Sequence, residues 1–525
     1  MKKTLLAVAA MATVAPLFVA AGAAQAATTF TPELVYTFNS DSDTAFQVDY
    51  ISSFGSKVAI ELDNGDIWVS DGTAAGTVDM GAALDAEGIT DVEIERNRWT
   101  TDSLDIDGTL YFFGRAGGTW DIFTTDGSTV NQVTTGLGAN DTMYFLGDHL
   151  YVVGGGKFQQ VDPTTGTIVV IEDSMDCSFG GSTQVQLVGG LIVYVYDQNS
   201  CDEVLNAWDP ASPLTAPVAI TASAGGLGQN ASDNDYMDET SDTFFMFEGE
   251  MYFTAEANDA SMALGNELFK TDGTQAGTVL VKDITTGENE SSYAPDGSYV
   301  APTIFNGEMY FGAYNGNDGE LWKTDGTTAG TVLAVADPIN PGDDTQAAAV
   351  EINGKLFMDF RTSEYGQECY VTDGTEAGTT LLKDIFVGTE SSVYRGNYPP
   401  TPVLFQNHVF FVAYDGTTNA LWATDGTPDG TVQVTTFGYE YAIGNQDEAS
   451  MVVAGDNMFF GVNDPSVLLG DPTGQMSLYK ISSASPQLAN TGADLRSGAF
   501  GALGAMALVA FGGALVIGRR RNAQV

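Results

Sequence analysis

Few side chains in this sequence could do chemistry, and most of those recur. Histidine is the commonest general base near neutral pH, yet the chain has only His149 and His408. Both follow a hairpin-turn pair, a place that sister segments give to Glu250 and Glu308, so both read as exposed turn residues. No nucleophile-elbow motif accompanies either. Two histidines and three cysteines do not suggest a zinc site. Paired carboxylates stay open, because cleaving a glycosidic bond needs only two acids and the chain has 69. Glu267, Glu320, Glu368, Asp66 and Asp121 recur at one place, five residues before the aspartate of a recurring Thr-Asp-Gly-Thr segment or its variant. Recurrence argues for a structural or edge-charging role, since a catalytic pair would be unique to one or two units. No catalytic residue is assigned.

The recurring aspartates themselves are Asp71, Asp126, Asp272, Asp325, Asp373 and Asp425. Their carboxylates, with the neighbouring threonine hydroxyls, can hold a tight turn by bonding nearby amides, and the glycines supply positive φ. The functional alternative is calcium at each corner; the spacing lacks the alternating acids and distal glutamate of a calcium loop. No other cofactor is implied. Cys369 stands where Leu321 stands in the sister segment and reads as a small buried hydrophobe. Cys177 and Cys201 have no counterpart in other segments and are the disulfide candidates. The acidic stretches at 230–242 and 340–346 read as solvated loops.

These residues lie in a repeat. Upstream of each Thr-Asp-Gly-Thr comes an apolar residue, a turn pair and an aromatic stretch, as in FEGEMYF from Phe247, FNGEMYF from Phe305 and INGKLFM from Ile352. Counting diverged copies gives about nine units roughly fifty residues apart, the spacing of propellers and solenoids. In the unit around Trp322, the turn pairs Asn306-Gly307 and Asp325-Gly326 divide four short strands. Helix-length periodic segments are absent from residues 27–481. The expected fold is therefore all-β: a propeller of about 8–9 four-stranded blades. Trp68, Phe269, Trp322, Tyr370 and Trp422 share one strand position and are expected to pack blade on blade. The third and fourth units keep only turn character, in QVDPTTGT and AWDPASP, and irregular structure is expected there. The ninth unit has no fourth strand of its own, whereas ELVYTF from Glu33 is a fourth strand without a unit. Residues 34–38 should pair beside 476–481, because a blade short of a strand leaves an open edge.

The ends read differently. Lys2 and Lys3 precede an Ala/Leu/Val-rich run, and Ala24-Gln25-Ala26 has the form of a signal-peptidase site, so residues 1–26 read as a secretory signal. After a spacer at 482–487, residues 488–525 hold Leu488-Ala489-Asn490-Thr491-Gly492, an apolar span at 499–518 and Arg519, Arg520 and Arg521. About twenty apolar residues cross a bilayer as a helix, and the arginines would keep the tail cytoplasmic. The formal charge of the whole chain is −50. Residues 27–491 are more acidic still, since they exclude Lys2, Lys3, Arg496 and the three terminal arginines but only one acid, Asp494. Such a surface repels nucleic acid and other polyanions.

Two resemblances follow from these motifs. The units are similar to the ELWxxDGT repeat of bacterial secreted and surface proteins, most clearly between Phe247 and Val434. That repeat carries no established catalytic residues, so none transfers. The terminal pentapeptide, apolar span and basic end together resemble the LPxTG sorting signal of Gram-positive surface proteins, in its LAxTG form, with Ala489 in place of the usual proline. This resemblance implies cleavage between Thr491 and Gly492 by a sortase. Peptidoglycan would then be the covalent partner at Thr491, with a transmembrane helix only in the precursor. The expectation is a secreted, wall-anchored propeller that binds an extracellular ligand: carbohydrate, protein or cation. A polysaccharide-degrading enzyme using two carboxylates and a passive acidic coat protein are the alternatives.

Overall fold

Asn306 and Gly307 take φ of 53° and 81°. Two successive positive values make the tight turn whose twist suits antiparallel strands. The turn joins Thr303–Phe305 to Glu308–Tyr314, and the chain continues through Gly319–Thr324 to Val332–Ile339. These four strands form one antiparallel sheet in chain order. The computed structural model describes residues 30–38, 48–62, 64–94, 103–138, 142–154, 156–173, 185–197, 203–213, 215–220, 244–259, 262–285, 302–314, 319–339, 349–393, 401–436, 451–463 and 476–483. Among them the strands make nine antiparallel sheets, eight of four strands and one of five. The sheets are the blades of a β-propeller, numbered 1–9 from Val48.

Blade 9 is built from both ends of the described chain. Met451–Ala454, Asn457–Asn463 and Met476–Ser482 are completed by Glu33–Phe38 as the outer strand. Glu33 pairs with Lys480, Thr37 with Ser477 and Phe38 with Met476. Val35 and Phe38 are buried there. The expected pairing of the N-terminal strand is thus present.

Nine apolar clusters lie between nine pairs of consecutive blades. Between blades 5 and 6, for example, Phe247, Tyr252 and Leu268 meet Met309, Phe311 and Ala313. The cluster that closes the ring sets Val35, Phe38 and Phe459 of blade 9 against Val48, Ile51 and Ile60 of blade 1. The shared-position aromatics Trp68, Phe269, Trp322, Tyr370 and Trp422 each join the cluster facing the preceding blade. From blade 7 through blades 8, 9, 1, 2 and 3 to blade 4, the first strands of neighbouring blades approach one another, so they lie nearest the axis.

Two departures from expectation appear. Blades 3 and 4 are regular four-stranded sheets. Asp162 accepts from the Thr164 and Thr165 amides, and Asp209 from the Ala211 amide, so the corner survives although its motif does not. The irregularity falls in blade 2 instead. There Ile89–Glu93 and Ser103–Ile106 share one edge of Thr109–Ala116, after a short helix at Gly81–Ala86. No helix among the described residues is long and apolar enough to cross a membrane.

Candidate functional site

The first and third turns of each blade emerge on one face of the ring, because alternate strands run in opposite directions. Contacts across blades agree. Lys57 donates to the carbonyl of Asp126 and Asn353 to that of Asp425, each linking one blade's hairpin to the next blade's corner, and Lys270, at the end of the third strand of blade 5, donates to the carbonyl of Gly326 in the corner of blade 6. This turn face carries the six corner aspartates and both histidines.

The corner motif explains itself residue by residue. In blade 5, Thr271 Oγ1 accepts from the Gly273 amide at 3.0 Å and meets Thr278 Oγ1 at 2.8 Å. Asp272 Oδ1 accepts from the Thr274 amide at 2.9 Å and its hydroxyl at 2.6 Å. Thr274 Oγ1 in turn accepts from Gly277 N at 3.1 Å, while Thr278 Oγ1 donates to the Thr274 carbonyl at 2.8 Å. Gly273 needs its positive φ of 87°. Gly277 is required for another reason: a Cβ there would fall on the Asp272 carboxylate. The same bonds recur at Asp71, Asp325, Asp373 and Asp425. Asp126 closes a shorter version with Ser128 and Thr129. Hydrogen bonds from the Thr274 hydroxyl, then its amide, hold Asp272 below the usual carboxylate range, and Thr327 does so for Asp325. The Ser128 hydroxyl holds Asp126 well below it. These corners therefore present fixed negative charge at neutral pH.

The acids five residues upstream divide by environment. Glu267 and Glu368 are wholly buried and Asp121 nearly so. Each binds the chain after it leaves the fourth strand of its blade. Glu267 accepts from the amides of Ile284 and Thr285, Asp121 from that of Leu137, and Glu368 from the Phe386 amide and the Ser392 hydroxyl. A structural role is observed at these three; edge charging is not, because water does not reach them. Burial, offset in part by the Ser392 bond, raises the Glu368 carboxyl to about 7. Glu320 instead accepts from the Trp322 indole at 3.3 Å. Asp66 is exposed and bonds Asn64. Where that position holds Ala420 or the shorter Asp66, the indole nitrogens of Trp422 and Trp68 find no hydrogen-bond partner among the described residues.

The remaining candidates do not converge. His149 and His408 lie in blades 3 and 8 and are half-buried rather than exposed. The His408 ring packs edge-on against Phe30, and its Nδ1 lies 3.0 Å from the Gln406 carbonyl. Cys369 is buried in the cluster between blades 7 and 8. Among the described residues no three His, Cys, Asp or Glu side chains are grouped to hold a metal ion. A small crevice between blades 1 and 2 is lined by Ile67, Val69, Met80, Leu110 and Phe112 and offers little to a polar substrate. Ala24, Ala26, Cys177, Cys201, Leu488, Ala489, Asn490, Thr491 and Gly492 lie outside the described residues, as do the acidic stretches at 230–242 and 340–346.

One feature escaped sequence reasoning. The penultimate residue of the first strand is Phe145, Leu187, Met246, Ile304, Leu404 and Val453 in blades 3, 4, 5, 6, 8 and 9. Ile304 is 49% and Leu404 48% exposed, with Phe145 at 38% and Val453 at 37%. Their cross-strand partners Met309, Val409, Leu150 and Met458 are fully buried on the same sheet face. The interblade core thus continues inward to the first strand, and its last side chains meet solvent near the axis. Blades 1, 2 and 7 put Ser53, Asp105 and Glu351 at this position. The available signal was an apolar residue in the slot where a one-sided strand would place a polar one.

No family model matches the sequence, and no curated protein matches it. Solved structures do align with it at low similarity. BamB from Moraxella catarrhalis is 12% identical, with 86% of this chain and all of that chain covered, at a TM-score of 0.39. Porphyromonas gingivalis dipeptidyl peptidase 4 is 10% identical over 81% of this chain and 65% of that one, at 0.43. The computationally designed Ika8 protein is 12% identical over 75% of this chain and 96% of that one, at 0.37.

Proposed function

We propose that the chain is a secreted propeller, anchored to the cell wall of a Gram-positive bacterium, that serves as a binding module outside the cell. The observation that carries the binding reading is the turn face: apolar side chains exposed near the axis, surrounded by carboxylates held ionised. The recurring acids that could have served chemistry are largely occupied in bonding the protein's own backbone. Anchoring rests on Leu488-Ala489-Asn490-Thr491-Gly492, the apolar span at 499–518 and the terminal arginines, in that order. The resemblance to ELWxxDGT surface proteins supports the same location. Carbohydrate, protein and calcium or another cation are the candidate ligands.

Two experiments test this reading. Thr491→Ala should leave the protein in the membrane fraction or the medium; wall-linked material at the normal level would refute sortase anchoring. Residues 27–487, purified, should retain a ligand from a panel of wall glycans and surface polypeptides, with and without calcium. Release of reducing sugar in those samples would replace the binding reading with the paired-carboxylate enzyme.

A further inference from the structure

We propose that the turn face docks a basic polypeptide segment whose apolar side chains seat over the ring axis. This deepens the binding-module reading and rests on it. The two halves of the surface ask for two properties in one partner. At the centre, Ile304, Leu404, Phe145 and Val453 keep roughly two-fifths to one-half of their area in water, and covering that area is favourable in proportion to the apolar surface removed from water. Around them stand the corner aspartates, ionised at neutral pH, with Asp71, Asp272, Asp325 and Asp373 held further below the usual carboxylate range by the hydroxyl of the threonine two residues on. Lys57 and Lys355 lie near Asp71 and Asp373 and offset part of this charge, while two other lysines do not. Lys270 is paired with Glu250 at 2.7 Å and Lys323 with Glu308 at 2.8 Å, so both are neutralised within their own blades.

Charge selects among occupants. A second copy of the chain would bring one acidic face against another, and the formal charge of −50 opposes it. Nucleic acid, anionic wall polymers and anionic lipid are repelled for the same reason. A neutral glycan is best held by stacked aromatic faces, whereas the exposed apolar residues of this ring are aliphatic apart from Phe145. Lysine or arginine side chains alternating with apolar ones satisfy both the carboxylates and the axial patch. Such a segment gains from electrostatic steering at low salt and from apolar burial at any salt.

The test uses purified residues 27–487 and three fluorescent peptides of equal length: Lys/Leu, Lys/Ser and Glu/Leu. The Lys/Leu peptide should bind tightest and the Glu/Leu peptide not at all. Ile304→Ser with Leu404→Ser should weaken the Lys/Leu peptide by about tenfold and leave Lys/Ser unchanged. Both positions are half-exposed, so the fold should persist, which circular dichroism checks. Val279→Ser, at a 42% exposed position on the outer strand of blade 5, should change nothing. Equal binding of Lys/Leu and Lys/Ser, or unchanged Lys/Leu binding by the double variant, overturns the docking proposal. If a glycan is retained while every peptide fails, this surface assignment falls and the binding-module reading stands. If neither is retained, both fall.

Discussion

Gly277→Ala tests the account of the corner motif. Gly277 does not need positive φ, so on backbone grounds alone alanine should stabilise by about 0.4–1 kcal/mol through the unfolded chain. The structure predicts the reverse. The new Cβ displaces the Asp272 carboxylate, which then gives up its bonds to the amide and hydroxyl of Thr274. At an exposed turn those two bonds are together worth about 1–2 kcal/mol, so Gly277→Ala should cost about 1 kcal/mol net. Asp272→Ala alone loses the same bonds and costs about 1–2 kcal/mol. In the Asp272→Ala background the obstacle is gone, and Gly277→Ala should become neutral or mildly stabilising. Urea unfolding of residues 27–487 for the four proteins of the cycle gives the coupling directly. Equal cost of Gly277→Ala in both backgrounds would refute the reasoning, because the glycine would then be serving something other than the carboxylate.

Three further outcomes are expected. Phe38→Ala, at a 4% exposed position in the strand that completes blade 9, should cost about 3–5 kcal/mol, and removing residues 31–39 should lower the melting temperature further and promote aggregation; an unchanged melt would mean the strand is dispensable. Glu368 has its folded carboxyl raised from 4.5 to about 7, so its contribution to stability is fully present below pH 4.5 and is lost as pH rises to about 7. Melting temperatures between pH 5 and 8 should therefore fall less steeply in Glu368→Gln than in the parent; parallel curves would show that this carboxyl is not the one titrating. Cys177 and Cys201 should be bridged in secreted protein, which peptide mapping without reduction decides; two free thiols would reject the pairing.

The repeat made much of this fold legible. Asn306-Gly307 and Asp325-Gly326 marked the turns, and the solitary strand at Glu33 together with the incomplete ninth unit pointed to closure by the two ends. What the sequence hid was burial that depends on tertiary crossings. Glu267 and Glu368 lie within the third strands of their blades, Met262–Thr271 and Gly366–Thr372, and recur as an acid that reads as an exposed edge charge. They are buried because the segment after the fourth strand folds back and offers its amides. Ile304 and Leu404 were misleading in the opposite sense. Their strands are three residues long, too short to show alternation, and an apolar residue there reads as core. Blades 3 and 4 turned out regular because one aspartate accepting from the following amides makes the corner without the rest of the motif.

Closure of the ring by its two ends is the claim on which the rest depends, and a designed cross-link tests it. Thr37 and Ser477 are cross-strand partners in blade 9, with their hydroxyl oxygens 3.1 Å apart across 440 residues of sequence. Thr37→Cys with Ser477→Cys, introduced into residues 27–487, should oxidise within one chain in air. Non-reducing peptide maps should then show residue 37 linked to residue 477, with a melting temperature above that of the reduced form. Free thiols at both positions, or bridges only between chains, would contradict a closed propeller and point to an open array of blades.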